Sequence, residues 1–470
     1  MKARLASSTD PAPRLYTLLC ALCLAACAGI QPALGADTAA EATLRQRDSA
    51  FDREIVQVSP GVYTAVGFSP ANISMIVGSD GVVIVDTGLS VSQATEVAAR
   101  FRAITDKPVK AIIYTHAHGD HTGGSGAFIG EEKPQIWALA NFGSEYRPLA
   151  AAGLTIQRQR GTRQAGFELP ARLRINNGVA PAMQAQREDA FVAEDVATAP
   201  THTFVAGRKS IEVAGLQLDL VAAPGETDDQ LYVWFERQRV LFAGDNYYRS
   251  FPNLYAIRGT PYRDVRAWAD SLTLMLAEQP AAVVPGHTRP VIGGEAAQTA
   301  LRQHRDAIRY VHDKTVEGMN LGLTPDQLVD YVQLPPDLAD NADLGEYYGS
   351  VAFAVRSIFN GYLGWYDGNP TRLRPLSPAG EARRWSQALG GQDKLRQLAT
   401  AALADGDAQW AAQLADQLLA LDAADAGARE LKADALTALA RESVNAPARN
   451  YYLSVAQALR EPGARDRHSR

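Results

Sequence analysis

Between about residues 52 and 290, short runs rich in Val, Ile and aromatic residues alternate with helical runs, and beyond about residue 295 the strand-type runs cease. Ile73 to Val77, Gly81 to Asp86, Lys110 to Tyr114, Leu216 to Ala222, Leu231 to Phe235 and Val240 to Ala243 are bounded by Gly, Pro or Asp and read as strands. Val91 to Ala103 and Val265 to Ala277 have helical spacing instead. Such alternation predicts sheets covered by helices, with chemistry on the loops at the strand ends. Residues 145 to 205 are polar and poorly periodic, which predicts an insertion over a site.

The second half is helical in pattern. Thr324-Pro325-Asp326-Gln327 reads as an N-cap with Pro in the first turn. Trp410 to Leu421 and Ala428 to Ala440 are amphipathic runs joined by a linker that begins Asp422-Ala423-Ala424-Asp425, a pair similar to a tetratricopeptide unit. One or two such units fall short of a free-standing solenoid, so a packed helical domain used for assembly is expected. With 470 residues the chain has room for two or three domains. Its net charge of −6 offers no basic surface, which disfavours nucleic acid as a partner.

Lys2, Arg4 and Arg14 precede an apolar run from Leu15 to Ile30, too short for a comfortable membrane span. Residues 1–36 are therefore expected to be an export signal, and the protein periplasmic, secreted or bound to the envelope. Cys20, Cys23 and Cys27 all lie inside that run, so no disulfide is expected in the mature chain. Leu24-Ala25-Ala26-Cys27 resembles a bacterial lipobox, which would make a lipid on Cys27 the sole membrane attachment; the alternative is cleavage near Gly35 or Ala36.

Directly after the run Lys110 to Tyr114 comes Thr115-His116-Ala117-His118-Gly119-Asp120-His121-Thr122-Gly123-Gly124. Imidazoles and a carboxylate suit zinc, and glycines let a loop turn tightly around an ion. His116 and His118 can face one ion while Asp120 and His121 fall toward a second. His202, His304, His312 and His468 have no ligand spacing and are expected to be structural or exposed.

The motif resembles the signature of the metallo-β-lactamase superfamily. That resemblance implies an α/β protein with an αβ/βα sandwich and a two-metal site, here over residues 37–294, followed by an all-α dimerisation domain over 295–470. It also implies ligands downstream: Glu226 in Ala223-Pro224-Gly225-Glu226-Thr227, Asp245 after Ala243-Gly244, and His287 after Pro285-Gly286. A glutamate at the position of Glu226 is similar to the alkylsulfatase branch. Asn253-Leu254-Tyr255-Ala256-Ile257-Arg258-Gly259, His304-Arg305-Asp306, Tyr362 to Pro370 and Ala448-Arg449-Asn450-Tyr451-Tyr452-Leu453 resemble it too. Two departures stand out. Asp245 occupies a bridging position usually held by glutamate, and the chain stops before the sterol-carrier-like domain such enzymes usually carry, so a preference for long alkyl chains does not follow.

The resemblance thus implies two Zn2+ per chain: one on His116, His118 and Glu226, the other on Asp120, His121 and His287, bridged by Asp245. Asp120 and Asp245 are the expected catalytic carboxylates. With a bridging hydroxide, Asp120, Glu226 and Asp245 would offset the charge of two divalent ions, leaving a nearly neutral site. A sulfate ester then needs another cation, for which Arg258 is the candidate, with Asn253 as a further donor. Asp228 or Asp229 could orient a ligand histidine, or be a solvent-exposed loop acid. The expected function is hydrolysis of alkyl sulfate esters by a metal-activated water in a homodimer. The alternative is a related hydrolase of a lactam, lactone or phosphoester, with sulfatase activity secondary.

Overall fold

A computed structural model of the chain describes residues 36–131, 133–182 and 197–461; the expected export signal with Cys27, and His468, lie outside them. Seven strands form the first sheet in chain order: β1 (Glu54–Ser59), β2 (Val62–Val66), β3 (Ile73–Val77), β4 (Val82–Val85), β5 (Val109–Ile113), β6 (Gln135–Leu139) and β7 (His202–Phe204). Pairing is antiparallel up to β4 and parallel from there to β7. The second sheet has six: β8 (Arg208–Val213), β9 (Leu216–Ala222), β10 (Leu231–Phe235), β11 (Val240–Gly244), β12 (Ala282–Pro285) and β13 (Val291–Ile292). Only β11 and β12 pair in parallel there.

Parallel neighbours need a crossover, and helices supply it. After α1 (Ala39–Gln46), α2 (Val91–Arg102) links β4 to β5. The single turn α3 (Gly119–Thr122) lies within the histidine motif, and α4 (Tyr146–Ala151) and α5 (Ile156–Ala165) form part of the expected insertion. Helix α6 (Val265–Ala277) links β11 to β12.

The inner faces of the sheets meet through Val83, Ile113 and Trp137 on one side and Leu218, Leu220, Val233 and Phe242 on the other. Met75, Ile84 and Ile112 on the outer face of the first sheet bury Ala94, Val97 and Phe101 of α2. Trp234, Leu241 and Val283 on the outer face of the second bury Trp268 and Leu272 of α6. The expected αβ/βα sandwich is the result. Strand β10 is buried at all five positions because it is covered on both faces, which is why its sequence shows no alternation.

Helices follow from there: α7 (Gly294–Asn320), α8 (Pro325–Tyr331), α9 (Pro336–Ala339), α10 (Val351–Leu363), α11 (Pro378–Leu389), α12 (Gln392–Ala404), α13 (Ala408–Leu421), α14 (Ala426–Arg441) and α15 (Ala446–Arg460). Thr324 caps α8 through a reciprocal bond pair with Gln327. The last strand ends at Ile292 and α7 begins at Gly294, and the core crosses that point. Leu301 and Ile308 of α7, Leu328 of α8 and Val355 and Ile358 of α10 belong to the cluster that holds Trp268. Each such fully buried side chain is worth about 1.5–3 kcal/mol, so α7 to α10 contribute to the stability of the sandwich itself.

The remaining helices pack on their neighbours. Leu395, Leu414, Leu418 and Ala428 join α12, α13 and α14, with Asp407 and Asp425 as N-caps. The last helix, α15, returns to the insertion, where Leu453 meets Leu169 and Ala440. Among the described residues no helix is long and apolar enough to cross a membrane.

Candidate metal centre

The motif leaves β5 and runs into α3, whose turn brings Asp120 and His121 beside His116 and His118. Gly123 and Gly124 pack on the backbone of residues 87–89: an added Cβ would lie 2.1 Å from the Leu89 carbonyl oxygen and 2.0 Å from that of Thr87. Gly119, in contrast, has open space around it, so the turn needs only the later pair.

Potential donor atoms of His116, His118 and Asp245 lie within 4.8 Å of one another, as do those of Asp120, His121 and His287. Asp245 stands between the groups, 3.2 Å from Nε2 of both His121 and His287 and 3.7 Å from Nε2 of His116. Asp120 lies 3.6 Å from Nε2 of His287. Glu226 is 4.0 Å from Nδ1 of His118. Of the seven expected ligands all but Asp120 are buried.

The opposite ring nitrogens show which way the imidazoles face. Nδ1 of His121 is 2.7 Å from Asp86, Nδ1 of His287 is 2.7 Å from the Pro70 carbonyl, and Nδ1 of His116 is 3.0 Å from the Thr115 hydroxyl. Nε2 of His118 is 3.4 Å from Glu145. These partners leave Nε2 of three rings and Nδ1 of the fourth toward the centre, as outer carboxylates and carbonyls do for metal-ligating histidines. Nε2 of His116 and His121 and Oδ1 of Asp245 are buried with no hydrogen-bond partner. Buried polar atoms are rarely left so, and here a cation between the groups would satisfy them. The donor set of imidazoles and carboxylates fits zinc.

Charge in the cluster is tightly coupled. Burial disfavours ionisation of Asp245, but His121 and His287 hold its pKa well below the usual carboxylate range. Burial likewise opposes a proton on His287, yet Asp245 lifts its pKa to about 9. The carboxylates therefore demand positive charge, which protons or a metal can supply, and metal binding would release those protons.

Asp86 ends β4 and orients more than one group: it accepts from the Thr115 amide at 2.8 Å and hydroxyl at 2.9 Å as well as facing His121. It has a positive φ of 56°, a conformation Asp tolerates better than most residues. Glu226 is fixed by Arg263, whose Nη1 lies 2.9 Å from Oε1 and also donates to the Asn253 carbonyl at 2.6 Å. Arg263 is fully enclosed; burial works against its charge, and Glu226 holds it ionised. Removing one partner of such a pair costs about 3–5 kcal/mol. The Tyr248 hydroxyl accepts from the Asn253 amide at 2.7 Å and lies 3.5 Å from Glu226.

Arg258 reaches the same cluster. Its Nη2 is 3.2 Å from Oε1 of Glu145 and 3.1 Å from Nε2 of His118. Burial raises the pKa of Glu145, but His118 and Arg258 outweigh it and bring it to about 2. Glu145 is thus an ionised bridge between His118 and Arg258.

Asp229 does not orient a histidine as expected: it accepts from the Gly143 amide and the Thr227 hydroxyl, and Asp228 offers its carbonyl to Asn141. The orienting carboxylates are Asp86 and Glu145 instead. Asp86 had a readable signal, an acid ending a buried strand; Glu145 and Arg263 carry no motif. His304 is buried against Tyr247 and Tyr248 with neither ring nitrogen bonded, and burial lowers its pKa to about 3. His202 stacks on Trp137, and His312 contacts Tyr362.

An αβ/βα sandwich with histidines and carboxylates gathered at its strand ends defines a metallo-β-lactamase-fold hydrolase, and residues 66–287 match the metallo-beta-lactamase superfamily. Residues 324–462 match the alkyl sulfatase dimerisation family. A linear primary-alkylsulfatase of a Pseudomonas species is 40% identical over 398 residues, 82% of this chain and 73% of that protein. An (R)-specific secondary-alkylsulfatase, also from Pseudomonas, is 31% identical over 86% of this chain and 62% of its own length. The solved structure of a stereoselective inverting sec-alkylsulfatase from Pseudomonas superposes with a TM-score of 0.79 at 29% identity, over 87% of this chain and 66% of that one. The chain belongs to the alkylsulfatases, the sulfuric ester hydrolases of the metallo-β-lactamase superfamily.

Because Asp86 fixes His121 and, through Thr115, His116, Asp86→Asn is expected to weaken metal binding about 10–100-fold. Competition with a chromophoric chelator measures this, and unchanged affinity would remove Asp86 from the orienting role.

Proposed function

We propose that this chain hydrolyses alkyl sulfate esters to inorganic sulfate and an alcohol at a two-zinc centre. His116, His118 and Glu226 would hold one ion, Asp120, His121 and His287 the other, and Asp245 would lie between them. The observation that carries this reading is the place of Arg258. Its guanidinium, mostly buried, stands 3.1 Å from a ring nitrogen of His118, so a tetrahedral anion at the centre meets a planar cationic fork. Two bound zinc ions would supply an acidified water and charge stabilisation at the reacting oxygens.

The chain's own residues do the rest. Arg258 takes the sulfate group, and Glu145 holds the guanidinium beside the centre in its absence. Tyr248 and Arg263 hold Glu226 and the backbone of Asn253, keeping the segment that leads to Arg258 in place. Half-buried Tyr146 and Tyr348 stand beside the cluster, the first with its ring 6.0 Å from that of His118 and the second with its ring 5.7 Å from that of Tyr248. One relative is named as inverting, and inversion at a secondary carbon requires attack on carbon. Carried to this chain, the ester oxygen leaves with sulfate and Arg258 balances the charge that gathers there.

We also infer a homodimer. Tyr362, Leu363, Trp365, Leu373 and Leu376 are exposed within the residues that match the dimerisation family, and a second copy would cover them. We further propose an envelope location from the apolar run of residues 15–30 after Lys2, Arg4 and Arg14, outside the described residues, with Cys27 as a lipid-attachment site.

Arg258→Ala should raise KM for octyl sulfate about 10–100-fold, the loss of charge-assisted hydrogen bonds worth about 1.5–3 kcal/mol, with bound zinc unchanged. An equal loss on a lactam or neutral ester would point to the related-hydrolase reading. In isotopically labelled water, label should enter the alcohol; label in sulfate would overturn attack on carbon. Light scattering of the intact chain should give a dimer, and a monomer would contradict the proposed interface.

A further inference from the structure

Arg258 is held from an unexpected direction. Its backbone amide donates to Oε1 of Gln164 at 2.9 Å. Gln157 donates to the Gly259 carbonyl at 2.9 Å, and Arg160 to the Ile257 carbonyl at 2.6 Å. The aliphatic stem of Arg258 runs along the same helix, its Cδ 3.7 Å from where a Cβ on Gly161 would sit. Residues 157, 160, 161 and 164 are spaced i, i+3, i+4 and i+7 and so share one face of α5. That face grips the 257–259 segment residue by residue.

The far end of α5 is gripped in turn by the last helix. Asn450 of α15 is buried and donates to the Gln164 carbonyl at 3.3 Å. It packs on Gly166, whose φ of 73° closes α5 and where a Cβ would fall 2.8 Å from the Asn450 amide carbon. Beside it Arg449 donates to the Leu173 carbonyl at 2.7 Å and pairs with Glu41 of α1 at 3.2 Å. The Ala448 to Leu453 motif, which lies far from the metal ligands in sequence, thus has a place in the site: its buried polar side chains clamp the insertion.

We propose that Gln164 is a positioning residue for Arg258, and that Asn450 holds Gln164 in place, so that the C-terminal helical region sets where the sulfate-binding arginine stands. This rests on the reading of Arg258 as the group that takes the sulfate. Neither Gln164 nor Asn450 has a bond to the ligand cluster, so their effect should appear in sulfate recognition and leave metal binding alone.

The test compares zinc-loaded full-length chains with octyl sulfate as substrate and inorganic sulfate as competing inhibitor. Gln164→Met keeps the shape and removes the acceptor, and is expected to raise both KM and the sulfate inhibition constant about tenfold, with kcat and zinc content changed little. Gln164→Glu keeps an acceptor oxygen and should restore both constants toward the wild-type values. Asn450→Ala should move both in the same direction by a smaller factor, which keeps the test usable if Gln164→Met does not fold. If Gln164→Met and Asn450→Ala bind sulfate like the wild type while Arg258→Ala does not, the positioning role is wrong and the role of Arg258 stands. If Arg258→Ala also leaves both constants unchanged, the assignment of Arg258 falls, and this inference falls with it.

Discussion

The carboxylate of Asp245 is the contact on which the site depends. It rises from the segment after β11 in the second sheet and stands 3.2 Å from His121, which lies in α3, the turn that follows β5 of the first. Its other neighbour at that distance, His287, follows β12. A buried carboxylate so placed requires positive charge, and the two sheets must meet in register for the histidines to reach it. The packing at Gly286 shows how close the approach is, since a Cβ there would lie 2.1 Å from Oδ1 of Asp245. Folding and ligand geometry are therefore one problem: the inner core that joins the sheets also sets the distance between the two halves of the centre.

Much of this was legible in the sequence. The six predicted strands are short, apolar and bounded by turn residues, and their limits agree with the structure to within about one residue, whereas β12, which leads to His287, was not predicted. The histidine motif is local, so its spacing alone brought four ligand-type side chains together. Less legible were the residues that act across long sequence separations without a motif. Asp86 touches His121 from the end of another strand, Glu145 reaches His118 from the insertion, and Arg263 meets Glu226 just before a helix. Asp229 looked placed for an orienting role because of its nearness in sequence to Glu226, but its carboxylate is spent on Gly143 and Thr227.

The same limit explains the core. Amphipathic spacing identified the helices beyond residue 294 but could not show what their apolar faces cover. Leu301 and Ile308 complete the outer face of the second sheet, so the helical region is continuous with the catalytic sandwich. The contacts of α15 with α5 carry that continuity to Arg258. Electrostatics also reads differently in three dimensions: Arg263 and Glu145, neither singled out in the sequence, add one charge of each sign around the ligands. Arg258, at the rim of the cluster, is itself held by the carboxylate of Glu145.

Both groups of side chains are expected to hold a metal ion, and release of sulfate to need both ions. This is tested most directly by stripping the chain with a chelator, returning zinc stepwise, and following bound metal and sulfate released from octyl sulfate together. Binding should saturate at two zinc ions per chain, with activity rising as the second ion binds. Full activity in the stripped chain, or saturation at a single ion with full activity, would contradict this.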